Sequence, residues 1–175
     1  TYFTRGNART VTTNENGSEV ISKISEKNGD VIIKLRDGNN ALVSKELIRD
    51  QYIAAIQNGV RFVSFTLESK TGERYDDILP AIAAYVAQVN RGRAPEHAVI
   101  LVVDGVQLFG RTPYADIFRW LTVPGVTAVV HSGSKAAAGP AHAGFIYQSQ
   151  YGKDITKFEL TVEQSVRDLT TPQLH

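Results

Sequence analysis

Several features that would define a function are missing from this chain of 175 residues. It has no cysteine, which excludes a disulfide framework, a zinc site built on thiolates and a cysteine nucleophile. Lysine and arginine total 19 against 18 for aspartate and glutamate, so the net charge gives no argument for a nucleic acid or a membrane as partner. No apolar run is long enough to span a membrane and no targeting segment is visible, which together favour a soluble, cytoplasmic protein.

The residues that are present are typical of a globular protein. Hydrophobic residues make up 42% of the chain and charged residues 21%, and this length suits one domain with a proper core. Residues 1–43 predict an N-terminal β-meander, as a small barrel or a curled sheet. Its short β-branched runs alternate with the turns "NENG", "EKNG" and "RDGNN", and its last strand is predicted in "ALV".

After the meander, the pattern changes to alternating helices and strands. Ser44 is predicted to cap a helix over 45–57, because its hydroxyl can accept a hydrogen bond from the first turn. Asp76 or Asp77 is predicted to cap a second helix over 78–90, in which the apolar residues recur at helical spacing. A shorter helix is predicted in "YADIFRWL".

Three strands separate these helices, in "RFVSFTLE", "HAVILVVDG" and "VTAVVHSG". The alternation of strand and helix predicts a three-stranded parallel α/β core joined by right-handed crossovers. The continuous apolar run of the middle strand predicts that both of its faces are covered. A C-terminal β-hairpin with its turn at "YGKD" completes the predicted core over 44–165, and residues 166–175 are predicted to be a tail.

Polar residues follow each of the three predicted strands. In open parallel sheets the ligand crevice lies beyond the carboxyl ends of the strands. That edge is expected to carry Glu68 and Lys70 from the first strand, Asp104 from the second, and His131 and Lys135 from the third. Such a set could hold a divalent cation, bind a phosphate or perform acid–base chemistry. The alternative is that polar residues simply resume where a strand ends.

The segment "LESKTGERYDDILPAIAAYV" resembles the Glu-x-Lys half of the PD-(D/E)xK nuclease superfamily, which includes restriction and repair endonucleases. In that family the strand bearing Glu-x-Lys leads into a helix and then an apolar strand, and "HAVILVVDG" follows in the same order. The resemblance covers residues 61–105. It implies that Glu68 is a magnesium ligand and that Lys70 orients or activates the attacking water.

The family's first acidic ligand has no clear counterpart, because it normally comes from the strand before Glu-x-Lys. Asp30 and Asp37 belong to the predicted meander, and Asp50 lies within the first predicted helix. Asp104 on the next strand is a substitute that the family pattern does not supply. The candidate metal ligands are therefore Glu68 and Asp104, with Mg²⁺ as the expected ion.

A second resemblance is to phospholipase D-like domains, carried by "AAIQNGVRFVSF", "ILVVDG" and "IFRWLTVPGVTAVV". That family needs a His-x-Lys motif. Here His142 is followed by Ala143 and Gly144, so the lysine is absent. This resemblance would imply a degenerate active site.

These observations predict a metal-dependent phosphodiesterase that cleaves DNA, with Glu68, Lys70 and Asp104 as catalytic residues. Arg91 and Arg93 in "RGRAPEH" are candidates for binding phosphates, and His131 and Lys135 are further candidates for substrate contacts. Three alternatives stay open: a non-catalytic module that binds a nucleic acid or a protein, a degenerate nuclease fold, and an enzyme acting on a small molecule or nucleotide. No membrane partner is expected, and a homodimer is an open alternative.

Overall fold

The computed structural model describes residues 2–6, 12–15, 18–21, 23–25, 30–108, 111–132 and 144–155, the first four ranges and residues 30 and 132 by their backbone alone. The strands are β1 (Tyr2–Gly6), β2 (Thr12–Glu15), β3 (Ser18–Ile21), β4 (Lys23–Ser25), β5 (Asp30–Ile33), β6 (Val60–Thr66), β7 (Ile100–Asp104), β8 (Ala128–Ser132) and β9 (Gly144–Gln148). The helices are α1 (Lys45–Gln57), α2 (Leu79–Asn90), α3 (Tyr114–Phe118) and α4 (Gln150–Ile155), with 3₁₀ turns at Pro95–His97 and Arg119–Thr122.

The fold is mixed α/β, and its main sheet has the strand order β4-β5-β1-β6-β7-β8-β9. Strands β6 to β9 form a mostly parallel part of this sheet, in which β6, β7 and β8 run parallel and β9 is antiparallel to β8. The helical connections make this possible, because parallel neighbours require a crossover. Strands β1, β5 and β4 extend the same sheet on the other side, all antiparallel, while β2 and β3 pair separately.

The first helix begins and ends where the sequence predicts. The Ser44 hydroxyl accepts a hydrogen bond from the backbone N–H of Leu47, and α1 runs to Gln57. Asn58 forms the C-cap, and Gly59 adopts the left-handed conformation, with φ of 95°. Both signals lie within a few residues of the helix, so no distant contact competes with them.

The predicted acidic cap of α2 is wrong. The N-cap is Ile78, and no side chain there makes a capping hydrogen bond. The Asp76 carboxylate instead accepts hydrogen bonds from Arg74 and Arg119, and Asp77 pairs with a lysine of α1. These carboxylates are therefore used for ion pairs between elements rather than for the helix end.

The hydrophobic core lies on one face of the main sheet. Val63, Phe65 and Leu67 of the β6 segment are at most 1% exposed. They belong to the same buried cluster as apolar residues of α1, α2 and α3. The Tyr52 ring of α1 lies 5.3 Å from the Phe65 ring, centroid to centroid, and the Tyr52 hydroxyl donates to the Ser64 carbonyl at 3.1 Å.

The prediction that the middle strand is covered on both faces is confirmed for one face and holds only in part for the other. In β7, Leu101 and Val103 are fully buried, whereas Ile100, Val102 and Asp104 are only partly buried. The described helices contribute to the core on the face of Leu101 and Val103. A continuous apolar run therefore marks a strand here whose second face is only partly covered.

Two of the predicted β segments, near residues 41–43 and 151–154, also differ from the sequence prediction. The "YGKD" stretch lies in α4 rather than in a turn, and Ser149 begins this helix by accepting a hydrogen bond from the N–H of Gly152 at 2.8 Å. The second strand of the predicted hairpin, over 155–164, lies outside the described residues except for Ile155, which ends α4. In "ALV", Leu42 forms only an isolated bridge with Arg36. No helix in the described part of the chain is both long and apolar enough to cross a bilayer.

Candidate functional site at the carboxyl edge of the sheet

A cleft of about 600 Å³ opens at the carboxyl edge of β6 and β7. Three segments build it: residues 34–36 after β5, residues 66–73 at the end of β6, and residues 104–107 at the end of β7. We call this space the edge cleft. Its lining residues are Lys34, Leu35, Arg36, Thr66, Glu68, Ser69, Lys70, Thr71, Glu73, Asp104, Val106 and Gln107.

The segment after β6 folds back on itself as a tight loop. The Ser69 N–H donates to the Glu73 carbonyl at 2.9 Å, and the Tyr75 N–H donates to the Leu67 carbonyl at 2.9 Å. Gly72 closes the loop with a φ of 92°, a conformation that a glycine adopts without steric cost. Because β6 ends at Thr66, the Glu-x-Lys motif lies in this loop rather than on the strand.

Glu73 is the acceptor at the centre of this loop. Its carboxylate accepts hydrogen bonds from the Ser69 and Thr71 hydroxyls, and Arg36 donates to its other oxygen at 2.6 Å. The two hydroxyl donors, first Ser69 and then Thr71, lower the pKa of Glu73 to about 2, and the charge of Arg36 acts in the same direction. Glu73 therefore ties the loop to the segment after β5 and stays ionised.

Glu68 is buried, and an arginine neutralises it. The Arg111 guanidinium donates to the Glu68 carboxylate, and the Arg111 side chain is 61% exposed while that of Glu68 is 9% exposed. Arg111 also donates to the Gln107 carbonyl, 2.6 Å away from its terminal nitrogen. A buried carboxylate needs such a cationic partner, because an unpaired charge out of water is costly.

Asp104 lies next to β6 at the same edge. It pairs in parallel register with Thr66, so both side chains point to the same face of the sheet. Its carboxylate accepts a hydrogen bond from the Val106 N–H at 2.8 Å, and its side chain is partly exposed to the cleft. Glu68 and Asp104, predicted from separate strands, thus line the same cleft.

Two lysines give the edge cleft its unpaired positive charge. Lys34 and Lys70 are both exposed, and neither forms an ion pair with another described residue. By contrast, Arg36 is paired with Glu73, and Arg111 is paired with Glu68. An ammonium group of this kind can neutralise phosphate oxygens that enter the cleft.

The other described residues that the sequence predicted, Arg91, Arg93 and His131, do not line this cleft. Arg91 and Arg93 precede β7, so they lie at the amino edge of the parallel strands, opposite the cleft. His131 is 5% exposed, and its ring stacks against Phe145 and Tyr147, with ring centroids 4.7 and 5.6 Å apart. Lys135 lies outside the described residues.

Sequence reasoning missed three basic residues of the site: Lys34, Arg36 and Arg111. The alternation in "DVIIKL" does place Lys34 on the opposite face from the buried Val31 and Ile33, so its exposure was readable. Nothing local indicates its neighbours in the cleft. The same holds for Arg111, which is 43 residues from Glu68 along the chain.

Glu68 and Asp104 supply the oxygen ligands that Mg²⁺ prefers. The described residues contain no group of three or more acidic or histidine side chains that could hold a metal ion. Mg²⁺ does not require such a group, because it is commonly held by one or two carboxylates together with water and substrate phosphates. In the structure Arg111 is paired with Glu68, so Mg²⁺ could use this carboxylate only after Arg111 leaves it.

Comparison with known proteins identifies no family. No model of a known protein family matches the chain, and no curated protein matches it. The functional argument therefore depends on the residues of the edge cleft.

Proposed function

We propose that the edge cleft is the active site of a Mg²⁺-dependent phosphodiesterase that acts on DNA. The observation that supports this proposal is that Glu68, Lys70 and Asp104 line one cleft, although two of them come from the loop after β6 and the third from the end of β7. The position is the one in which open parallel sheets bind ligands. The strands β6 to β8 would be the structural core that presents these residues.

Each residue has a defined role in this proposal. Glu68 and Asp104 would hold Mg²⁺, which when bound neutralises charge on the phosphate and polarises the scissile group. Lys70 would donate a hydrogen bond to the attacking water and orient it toward the phosphorus. Lys34, from the segment after β5, would bind a phosphate oxygen of the same substrate and hold it in the cleft.

The alternative function is a non-catalytic module that binds the phosphates of a nucleic acid. The ion pair between Arg111 and Glu68 favours it, because it leaves Lys34 and Lys70 as the available charges in the cleft. A degenerate nuclease fold belongs to this alternative, since it would keep the phosphate contacts and lose the metal. A homodimeric state and the location in the cell stay predictions.

The test is cleavage of supercoiled plasmid DNA in the presence of Mg²⁺. We expect cleavage by the unaltered protein and a loss of at least about 100-fold for Glu68→Gln, since a group that stabilises transition-state charge contributes about this much. Asp104→Asn and Lys70→Ala should show losses of the same order. The matched control is Glu96→Gln, which removes an exposed carboxylate at the opposite edge of the sheet.

Cleavage that survives Glu68→Gln unchanged would overturn the proposal. If no variant cleaves but the protein binds DNA and loses that binding in Lys34→Ala and Lys70→Ala, the non-catalytic alternative is correct. In that case the two substitutions should weaken binding by a similar factor for every DNA sequence, because phosphate contacts carry no sequence information.

A further inference from the structure

The ion pair between Arg111 and Glu68 places a protein cation where a metal ligand is proposed. Glu68 is buried and lines the edge cleft, whereas its partner Arg111 is mostly exposed to solvent. The guanidinium satisfies the charge of the buried carboxylate. Its positive charge also opposes the binding of a divalent cation to that carboxylate, because the two cations would repel each other.

Arg111 is held by few contacts. Its described hydrogen bonds are those to the Glu68 carboxylate and to the Gln107 carbonyl, and 61% of its side chain is accessible to solvent. An exposed side chain of this kind can change rotamer on a short timescale. Its only charged partner in the described residues is Glu68.

A phosphate group in the edge cleft would compete for Arg111. Guanidinium groups bind phosphate with two parallel hydrogen bonds and match its geometry as well as that of a carboxylate. Lys34 and Lys70 line the same cleft without ion-pair partners among the described residues and would draw a phosphate into it. Each phosphate that takes Arg111 leaves the buried Glu68 without a cation.

We propose that Arg111 is a phosphate-responsive counter-ion that keeps Glu68 closed to metal until a phosphate-bearing substrate binds. Substrate phosphate removes Arg111 from Glu68, and the divalent cation then takes its place. Metal and substrate therefore bind with positive cooperativity, and each raises the affinity of the other by the same factor. This inference rests on the proposed function, because it takes Glu68 as a metal ligand.

The experiment measures binding of Mn²⁺, as a paramagnetic probe, by electron paramagnetic resonance without any cleavage assay. The proteins are the unaltered chain, Arg111→Gln, Arg111→Lys and the double variant Glu68→Gln/Arg111→Gln. Each is measured alone and with a short oligonucleotide whose phosphorothioate linkages resist cleavage. Circular dichroism establishes that each variant is folded.

We expect Arg111→Gln to bind Mn²⁺ about tenfold or more tightly than the unaltered chain, which is within the usual range of coupling between two sites. The oligonucleotide should raise the Mn²⁺ affinity of the unaltered chain by a larger factor than that of Arg111→Gln, in which only direct contacts between phosphate and the ion remain. Arg111→Lys, which keeps the charge, should resemble the unaltered chain, and the double variant should lose the gain.

An Arg111→Gln protein that is folded and binds Mn²⁺ no more tightly than the unaltered chain would overturn the inference. If that variant does not fold, the test is made on the unaltered chain alone. An oligonucleotide that leaves the Mn²⁺ affinity of the unaltered chain unchanged would also overturn the inference. A different result would overturn the proposed function, namely DNA cleavage that does not depend on Glu68. Tighter Mn²⁺ binding without cleavage by any variant would support the counter-ion and contradict the nuclease.

Discussion

Glu73 shows how one residue organises the candidate site without belonging to the predicted motif. Its carboxylate joins the loop after β6 to Arg36, which is 37 residues away along the chain. The Ser69 and Thr71 hydroxyls that lower its pKa also line the edge cleft. Lys70 lies between these two residues in the chain, so the contacts of Glu73 help to hold the loop that carries Lys70.

Stability should depend on the ionisation of Glu73 at acidic pH. The pKa of this group is about 2 in the folded protein against 4.5 as its ordinary value. The unfolded chain therefore binds more protons between these pH values, and stability falls as the pH is lowered through this interval. We expect the urea midpoint of the unaltered protein to decrease from pH 5 to pH 2.5 by more than that of Glu73→Gln.

The matched control for this prediction is Glu96→Gln, at an exposed carboxylate that forms no described ion pair. Its urea midpoint should follow that of the unaltered protein over the same pH range. Parallel curves for Glu73→Gln and the unaltered protein would show that the Glu73 contacts do not stabilise the folded state.

At the scale of single residues, the sequence predicted the acidic residues of the edge cleft better than the basic ones. Glu68 lies two residues after β6 and Asp104 is the last residue of β7, and the apolar pattern places both near the ends of these strands. Lys34 and Arg111 reach the site only because β5 lies in the same sheet and because the turn after β7 folds back over Glu68. Such contacts have no local signal.

At the scale of elements, Gly125 determines how closely the segment between the second 3₁₀ turn and β8 approaches α2. Its φ is 100°, and a Cβ atom added there would lie 1.9 Å from the Ala83 carbonyl oxygen. Gly72, in the loop after β6, has a similar φ of 92°, but an added Cβ would meet nothing within 4 Å. A comparison of the two glycines therefore distinguishes the cost of a left-handed backbone from the cost of a steric clash.

We expect Gly72→Ala to reduce the free energy of unfolding by about 1 kcal/mol, which is the cost of a left-handed conformation for alanine. Gly125→Ala should cost about 3 kcal/mol or more, because overpacking against Ala83 adds to the same strain. Chemical denaturation of both variants measures the difference. Equal losses would mean that α2 moves away from the added methyl group without cost.

Element boundaries were predictable where the signals are local. Ser44 and Gly59 delimit α1 as expected, because an N-cap and a left-handed glycine act within one turn of the helix. The start of α2 was mispredicted because Asp76 forms ion pairs with Arg74 and Arg119. Propensity for a cap is a weak preference that such tertiary contacts override.

At the scale of the whole molecule, the two faces of the sheet differ in burial. Phe65 is 1% exposed and packs on the helices, whereas Phe62, three residues earlier on the same strand, is 42% exposed. Ile146 of β9 is 51% exposed. The strands therefore carry more apolar side chains than the described helices cover.

A pair of alanine substitutions tests this difference between the faces. Phe65→Ala should cost about 3–5 kcal/mol, the usual loss for a fully buried phenylalanine, and Phe62→Ala should cost about 1 kcal/mol because much of its ring is already in water. Urea denaturation of the isolated protein measures both. Similar losses for the two variants would contradict the assignment of the core to one face.

The sequence by itself determined the mixed α/β class, the bounds of α1 and the approach of Glu68 and Asp104 to one edge. These depend on hydrophobic period, caps and turns, which act between residues a few positions apart. Only the tertiary structure decided which sheet face is covered, that β1 and β5 adjoin β6, and that Arg111 lies on Glu68. These features join residues tens of positions apart, and their free energy comes from burial and charge pairing that no local pattern encodes.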